Sequence, residues 1–174
     1  MTDAIWLPHP TYVHYEISDD GRVRSIDRVT KGRNGSDRTV RGRELVLGIT
    51  PTATPYLHAS LWEEGVGICK PVHVLVCETF HGPKPDSSLQ VRHLNGMSFD
   101  NRAENLAWGT ESENKFDMVR HGNHHNAIKT HCKRGHPFDD VNTYRSPGRP
   151  GIRACRSCVR ERQRRRQARL ALKP

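Results

Sequence analysis

VRHLNGMSFDNRAENLAWGTESENKFDMVRH, residues Val91 to His121, decides how the rest of the chain is read. It opens with a short segment ending at His93, where alternation with apolar neighbours suits a strand. A polar loop containing Asn95, Gly96, Asp100 and Asn101 follows, and then the apolar Leu106-Ala107-Trp108 of a second strand. Thr110 and Glu113 have capping-box spacing, which starts a helix at Thr110 and puts Asn114 near its N-terminal end. The order is strand, loop, strand, helix, with His, Asn and Asn at fixed points along it.

That order resembles the HNH, or ββα-metal, nuclease family. His93, Asn105 and Asn114 carry the resemblance, within the words "RHLNG", "DNRAENLAWGT" and "SEN". Each residue alone has a bland explanation, since Asn in "DNR" or "EN" is usually turn or cap chemistry. The resemblance implies that His93 deprotonates a water, as an imidazole titrating near neutrality can. It implies that Asn114 holds a catalytic Mg²⁺ or Mn²⁺ at the scissile phosphate. Asn105 is then expected to tie the loop and orient the His strand. Many members carry an Asp immediately before the catalytic His, and here that position is Arg92, which cannot ligate a cation. Two readings stay open: Arg92 clamps phosphate beside a sparsely liganded ion, or the site is degenerate and the protein only binds DNA.

Upstream, Pro71 to Phe80 has apolar residues at Val72, Leu75, Val76 and Phe80, the spacing of a helix that Gly82-Pro83 ends. His73 matches a His found near the start of this helix in related proteins, with packing or a helix-fixing hydrogen bond as its expected role. Cys77 reads as a buried small hydrophobe. Tyr12 to Ile26 alternates around Asp20-Gly21, a hairpin signal. Val40 to Leu47 and Tyr56 to Trp62 read as further strands, and Lys31 to Thr39 as a Gly-, Asn- and Ser-rich loop. The words Tyr15-Glu16-Ile17-Ser18 and Gly21-Arg22-Val23-Arg24-Ser25, with Trp6, resemble the small modular domain often found ahead of HNH nucleases, which implies a role in holding DNA. Eight Lys/Arg lie between Arg22 and Arg43 against two acids. Arg22, Arg24, Arg28, Lys31 and Arg33 are the candidate DNA contacts there.

Downstream, Cys132-x3-His136 and Cys155-x2-Cys158 offer two short-spaced ligand pairs that suit one structural, tetrahedral Zn²⁺. The words "CKRGHPF" and "ACRSCVRER" resemble a zinc-binding appendage of phage-type HNH proteins. So polar a segment can hardly bury a core, and metal would supply much of its folding free energy. After Cys158 a run of helix formers carries Arg160, Arg164 and Arg165 on nearly one face, and these are further candidate DNA contacts.

The chain's net charge of +9 is uneven. From Lys129 onward there are 14 Lys/Arg against 3 Asp/Glu, and before it 14 against 16, so the tail carries the excess and suits a polyanion. The 34% apolar content points to small modules rather than one large core. With no long apolar run and no signal-peptide pattern, no membrane role is expected, and five cysteines in a reducing cytoplasm need a purpose other than disulfides. The expectation is an α+β protein in three modules. They are a β-rich N-terminal one at 1–68, a ββα-metal nuclease core at 69–122, and a zinc module with its Arg-rich helix at 123–174. The expected function is a homing-type, plausibly phage-encoded endonuclease, monomeric, cutting double-stranded DNA in the host cytoplasm. The alternatives are a non-catalytic DNA-binding protein and, more weakly, RNA binding through the tail.

Overall fold

The structure is a computed structural model. It describes residues 3–171 except Arg33, 53–54, Glu64, 126–127 and 149–151. The chain divides into two compact units, residues 1–114 and 115–174.

In the first unit, β1 (Trp6–Pro8), β2 (Tyr15–Ser18) and β3 (Val23–Ser25) form an antiparallel sheet with β2 central. Pro8 is tolerated because β1 is an edge strand. The Asp20-Gly21 turn joins β2 to β3 as its residues demand, with Gly21 at φ +90°. The stretch from residue 31 to 39 corrects the loop expectation. β4 (Arg28–Lys31) and β5 (Asp37–Val40) pair in register from Arg28 opposite Val40 to Lys31 opposite Asp37. Only the tip of that hairpin is the Gly- and Asn-rich part. Val40 to Leu47 is likewise no single strand. It runs as irregular chain with one bridge between Glu44 and Arg24, and β6 (Gly48–Ile49) begins only afterwards. Gly42 explains the interruption: a Cβ there would stand 2.4 Å from the Ser25 carbonyl oxygen, so the chain turns flush against β3. β6, β7 (Leu57–Glu63) and β8 (Val66–Pro71) form a second three-stranded sheet. The expected module border between residues 68 and 69 falls inside β8.

Helix α1 (Val72–Phe80) lies at the centre of the first unit. Val72, Leu75 and Val76 recur at helical spacing and are fully buried. They share one core with Tyr15, Ile17 and Val23 from the first sheet, Ala59 and Leu61 from β7, and Leu106 beyond the helix. The N-terminal module and the following helix are thus one hydrophobic body. Truncating Leu75 to Ala would cost about 2–5 kcal/mol. Cys77 is buried as expected, and burial pushes its thiol up to about 12, so it is inert.

After α1 come β9 (Gln90–His93), a 3₁₀ turn (Ala103–Asn105), β10 (Leu106–Gly109) and α2 (Glu111–Arg120). β9 and β10 are antiparallel with His93 opposite Leu106. The capping box forms: Thr110 Oγ1 accepts from Glu113 N at 3.2 Å, and Glu113 Oε2 accepts from Thr110 N at 2.8 Å.

The second unit contains a small hairpin of β11 (Thr143–Arg145) and β12 (Arg153–Cys155), then α3 (Arg156–Ala171). No residue of α3 is buried. Among the described residues no helix is long and apolar enough to cross a membrane.

Candidate active site and metal centre

His93 ends β9 and is enclosed on several sides. Its ring centroid lies 5.2 Å from that of His73, edge to face, and 6.0 Å from that of Tyr56. Tyr56 and His73 are themselves 4.9 Å apart. Burial lowers the His93 pKa below its ordinary value, opposed by the hydrogen bond to Asn101 and the charge of Asp100. Burial lowers His73 to about 4, helped by His93. Both imidazoles are therefore neutral at neutral pH. His93 Nε2 lies 3.3 Å from Oδ1 of the buried Asn101. An amide oxygen only accepts, so with Asn101 placed this way Nε2 carries the proton and Nδ1 keeps the lone pair.

Asn105 is buried in the loop behind His93. Its Oδ1 accepts from Asn95 N at 2.9 Å, its Nδ2 donates to the Asp100 carbonyl at 2.7 Å, and its own carbonyl accepts from Leu94 N at 2.8 Å. One side chain thus closes both ends of the loop from residue 94 to 100. Asp100 is held in turn by Asn95 and by a two-point pair with Arg102, which keeps its carboxyl down at about 2.

Arg92 and Gln90 reach the start of α2. Arg92 Nη1 is 3.3 Å from Glu113, and Asn114 Nδ2 is 3.4 Å from Gln90 Oε1. Gly109 makes room, because a Cβ there would stand 2.2 Å from Arg92 Cδ. The carboxylates of Asp100 and Glu113 are already engaged by arginine. Next to Glu113 on α2, the amide oxygen of Asn114 is a neutral donor, while Gln90 Oε1 faces the Asn114 amide nitrogen. Such a set fits an ion that keeps most of its waters and is completed by substrate phosphate, which is the habit of Mg²⁺.

The second unit brings Cys132, His136, Cys155 and Cys158 together, with all four ligand atoms within 4.8 Å of one another. Cys132 Sγ and Cys158 Sγ are 3.7 Å apart, and His136 Nδ1 is 3.5, 3.3 and 3.6 Å from the sulfurs of Cys132, Cys158 and Cys155. A tetrahedral zinc with bonds of about 2.3 Å to sulfur and 2.0 Å to nitrogen implies edges of about 3.8 and 3.5 Å. The four residues therefore fit such an ion. Asn142, which the spacing argument missed, supports it: Nδ2 donates to Cys155 Sγ at 3.3 Å, and Oδ1 accepts from Ser157 N and Oγ at 2.9 and 2.8 Å.

The expected DNA contacts are spread out. Arg22 and Arg24 stack on the Trp6 ring and are paired with Asp20 and Glu16. Lys31 is bonded to Asp37, its cross-strand partner, and Arg33 lies outside the described residues. Arg28 sits on β4 near a different cleft. Arg160, Arg164 and Arg165 are exposed on α3. Arg165 lines a concave surface with Arg134, Arg162, Arg166 and Arg169.

A short antiparallel hairpin followed by a helix, with His at the strand end and Asn on the helix, is a ββα arrangement. Residues 70–116 match the family described as HNH endonuclease, and residues 5–62 match the NUMOD4 motif. The chain thus carries a stretch similar to HNH endonucleases behind one similar to the NUMOD4 motif, each match covering less than half of it. Over 60 residues it is 47% identical to the uncharacterized HNH endonuclease L247 of Acanthamoeba polyphaga mimivirus, spanning 34% of this chain and 14% of that protein. It is also similar to the solved structure described as DNA binding and cleavage by the HNH homing endonuclease I-HmuI. The TM-score is 0.50 at 26% identity, covering 68% of this chain and 60% of that one.

Of the residues at this site, Asn101, Tyr56 and Gln90 had no role assigned from sequence. Asn101 had a signal, being among the polar residues of the loop that follows the His. Tyr56 and Gln90 had none, because their partners are distant in sequence.

Proposed function

We propose that this protein is an endonuclease that hydrolyses phosphodiester bonds of double-stranded DNA, with His93 as general base. The observation that carries the reading is the His93–Asn101 pair. A neutral imidazole, part-buried, with one nitrogen satisfied by Asn101 and the other holding a lone pair, is a base poised to take a proton from water. Asn105 braces the loop from which Asn101 reaches His93. Asn114, steadied by Gln90, would hold a catalytic Mg²⁺ or Mn²⁺, which when bound supplies Lewis acidity at the scissile phosphate. Arg92, which faces Glu113 at 3.3 Å, would meet phosphate oxygens, a task a planar guanidinium performs well. Cys132, His136, Cys155 and Cys158 would hold a structural Zn²⁺ that folds the second unit, apart from the chemistry. Arg92 in the place of a carboxylate favours a second reading, a DNA-binding protein without nuclease activity.

The test is incubation of the purified chain with supercoiled plasmid. Nicked or linear product with Mg²⁺ or Mn²⁺, abolished by chelator, is the expected result. Intact plasmid under every ion, from protein that still retards duplex DNA, would establish the second reading instead.

A further inference from the structure

His73 is a second imidazole beside the base, and the chemistry above leaves it unused. It stands in the first turn of α1, directly after the fully buried Val72. The sequence predicts packing or a helix-fixing hydrogen bond for it. No such bond forms: α1 starts at a Pro71 cap without a side-chain hydrogen bond, and His73 Nδ1 is enclosed with no partner among the described residues. Packing alone is a poor account of an imidazole here, because an apolar ring would fill the space without leaving a buried nitrogen unsatisfied.

The ring is nevertheless held in one place. Its centroid lies 4.9 Å from that of Tyr56 and 5.2 Å from that of His93, the latter edge to face. Tyr56 is itself tied down: Tyr56 N donates to Thr50 Oγ1 at 2.9 Å, and Thr50 N donates to the Tyr56 carbonyl at 3.0 Å. The core anchor of α1 and the Tyr56 ring together seat the imidazole against His93. Burial keeps it neutral, with its pKa lowered to about 4. A neutral imidazole has one N–H and one lone pair. Nδ1 is enclosed without an acceptor, and an orphaned buried N–H is the rarer and costlier state, so the proton lies on Nε2. Nε2 makes no hydrogen bond among the described residues, so its N–H is available to a ligand. With its lone pair on the enclosed nitrogen, His73 cannot compete with His93 for a proton. Its neutrality also avoids like-charge repulsion with the imidazolium that forms at His93.

We infer that His73 is a further catalytic residue, whose Nε2–H donates to a non-bridging oxygen of the scissile phosphate while His93 takes the proton of the attacking water. The inference rests on the reading of the protein as an endonuclease with His93 as base. The water oxygen bonds to phosphorus, its proton goes to His93, and a P–O ester bond breaks. His73 steadies the charge that collects on the phosphoryl oxygen and transfers no proton. The test is single-turnover cleavage of a duplex containing a bond mapped by plasmid cleavage, with melting temperature and duplex affinity measured beside it. Wild type, His73→Phe, His73→Gln and His93→Ala are compared. Phe keeps a ring against Tyr56 and removes the donor, whereas Gln keeps a donor without the ring. His73→Phe should cleave about 10²-fold more slowly with fold and affinity retained, and His73→Gln should recover part of that loss. Sulfur at either non-bridging position of the cleaved phosphate gives a readout that a packing role leaves unmoved. One of the two diastereomers should slow wild type more than His73→Phe, because the variant has no donor to lose. Should His73→Phe fail to fold, His73→Leu takes its place in both comparisons. Wild-type cleavage by the donor-less variant, or equal sulfur effects in both proteins at both positions, overturns the inference. With His93→Ala inactive, that result leaves the nuclease reading standing. Absence of cleavage by wild type would overturn both.

Discussion

Gly21 rests directly against Asn101: a Cβ added to Gly21 would stand 2.9 Å from the Asn101 Cβ and 3.2 Å from its carbonyl oxygen. The turn of the first hairpin is thereby a backstop for the residue that hydrogen-bonds His93. A second tie runs beside it, since Ala103 N donates to the Asp19 carbonyl at 2.8 Å.

Gly21→Ala is accordingly expected to act on catalysis as well as stability. Gly21 has φ +90°, which an L side chain adopts only with strain, and the new methyl meets a buried neighbour that cannot swing away. The expected cost is about 1–3 kcal/mol of stability. The folded variant should also cleave more slowly at saturating DNA. Wild-type cleavage by a variant with a lowered melting temperature would show that the turn supports the fold without positioning Asn101.

The pH dependence follows from the enclosed histidines. Burial holds the His93 pKa below 6.5, so the base stays unprotonated at neutral pH. Cleavage should be flat around neutrality and fall only as pH drops below that value. Asn101→Ala removes a bond that favours the protonated ring and should shift the fall to still lower pH. A shift upward would contradict the placement of the Asn101 oxygen.

His73 makes a parallel statement about stability. Its folded pKa is about 4 against an ordinary 6.5, so between those values the unfolded chain binds more protons than the folded one. Stability from this residue is fully present above pH 6.5 and is lost as pH falls toward 4. His73→Gln should flatten that part of the melting profile of the first unit. An equally steep profile in the variant would place the acid sensitivity elsewhere.

The metal centre predicts about one zinc per chain, retained through purification. Three sulfurs and an imidazole this close cannot all bear their ligand charges without a cation, so a strong chelator should unfold the second unit. Melting of the first unit, followed by Trp6, Trp62 and Trp108, should be unaffected, as all three tryptophans lie there. A folded second unit in metal-free protein would contradict the centre.

Much of this was legible in the sequence where the signal is local. The capping box at Thr110, the helix from Val72, the Asp20-Gly21 hairpin and the pairing of cysteine knuckles all depend on residues a few positions apart. The β4–β5 hairpin was misread because Gly and Asn at its tip hid the short alternating arms. The break at Gly42 was not legible, since the Ser25 carbonyl that demands it lies 17 positions back. Within the site, His93, Asn105 and Asn114 stood out by order and wording. Asn101, His73 and Tyr56 surround His93 from separate elements, and only their packing shows that they belong together.

The central claim is that His93 is a working base and not a remnant. The measurement is plasmid cleavage by wild type and His93→Ala under single-turnover conditions with Mg²⁺, alongside duplex affinity for both. Cleavage by His93→Ala should fall by on the order of 10²-fold or more, with affinity nearly unchanged. Equal cleavage rates for the two proteins, or absence of cleavage by both, would contradict it.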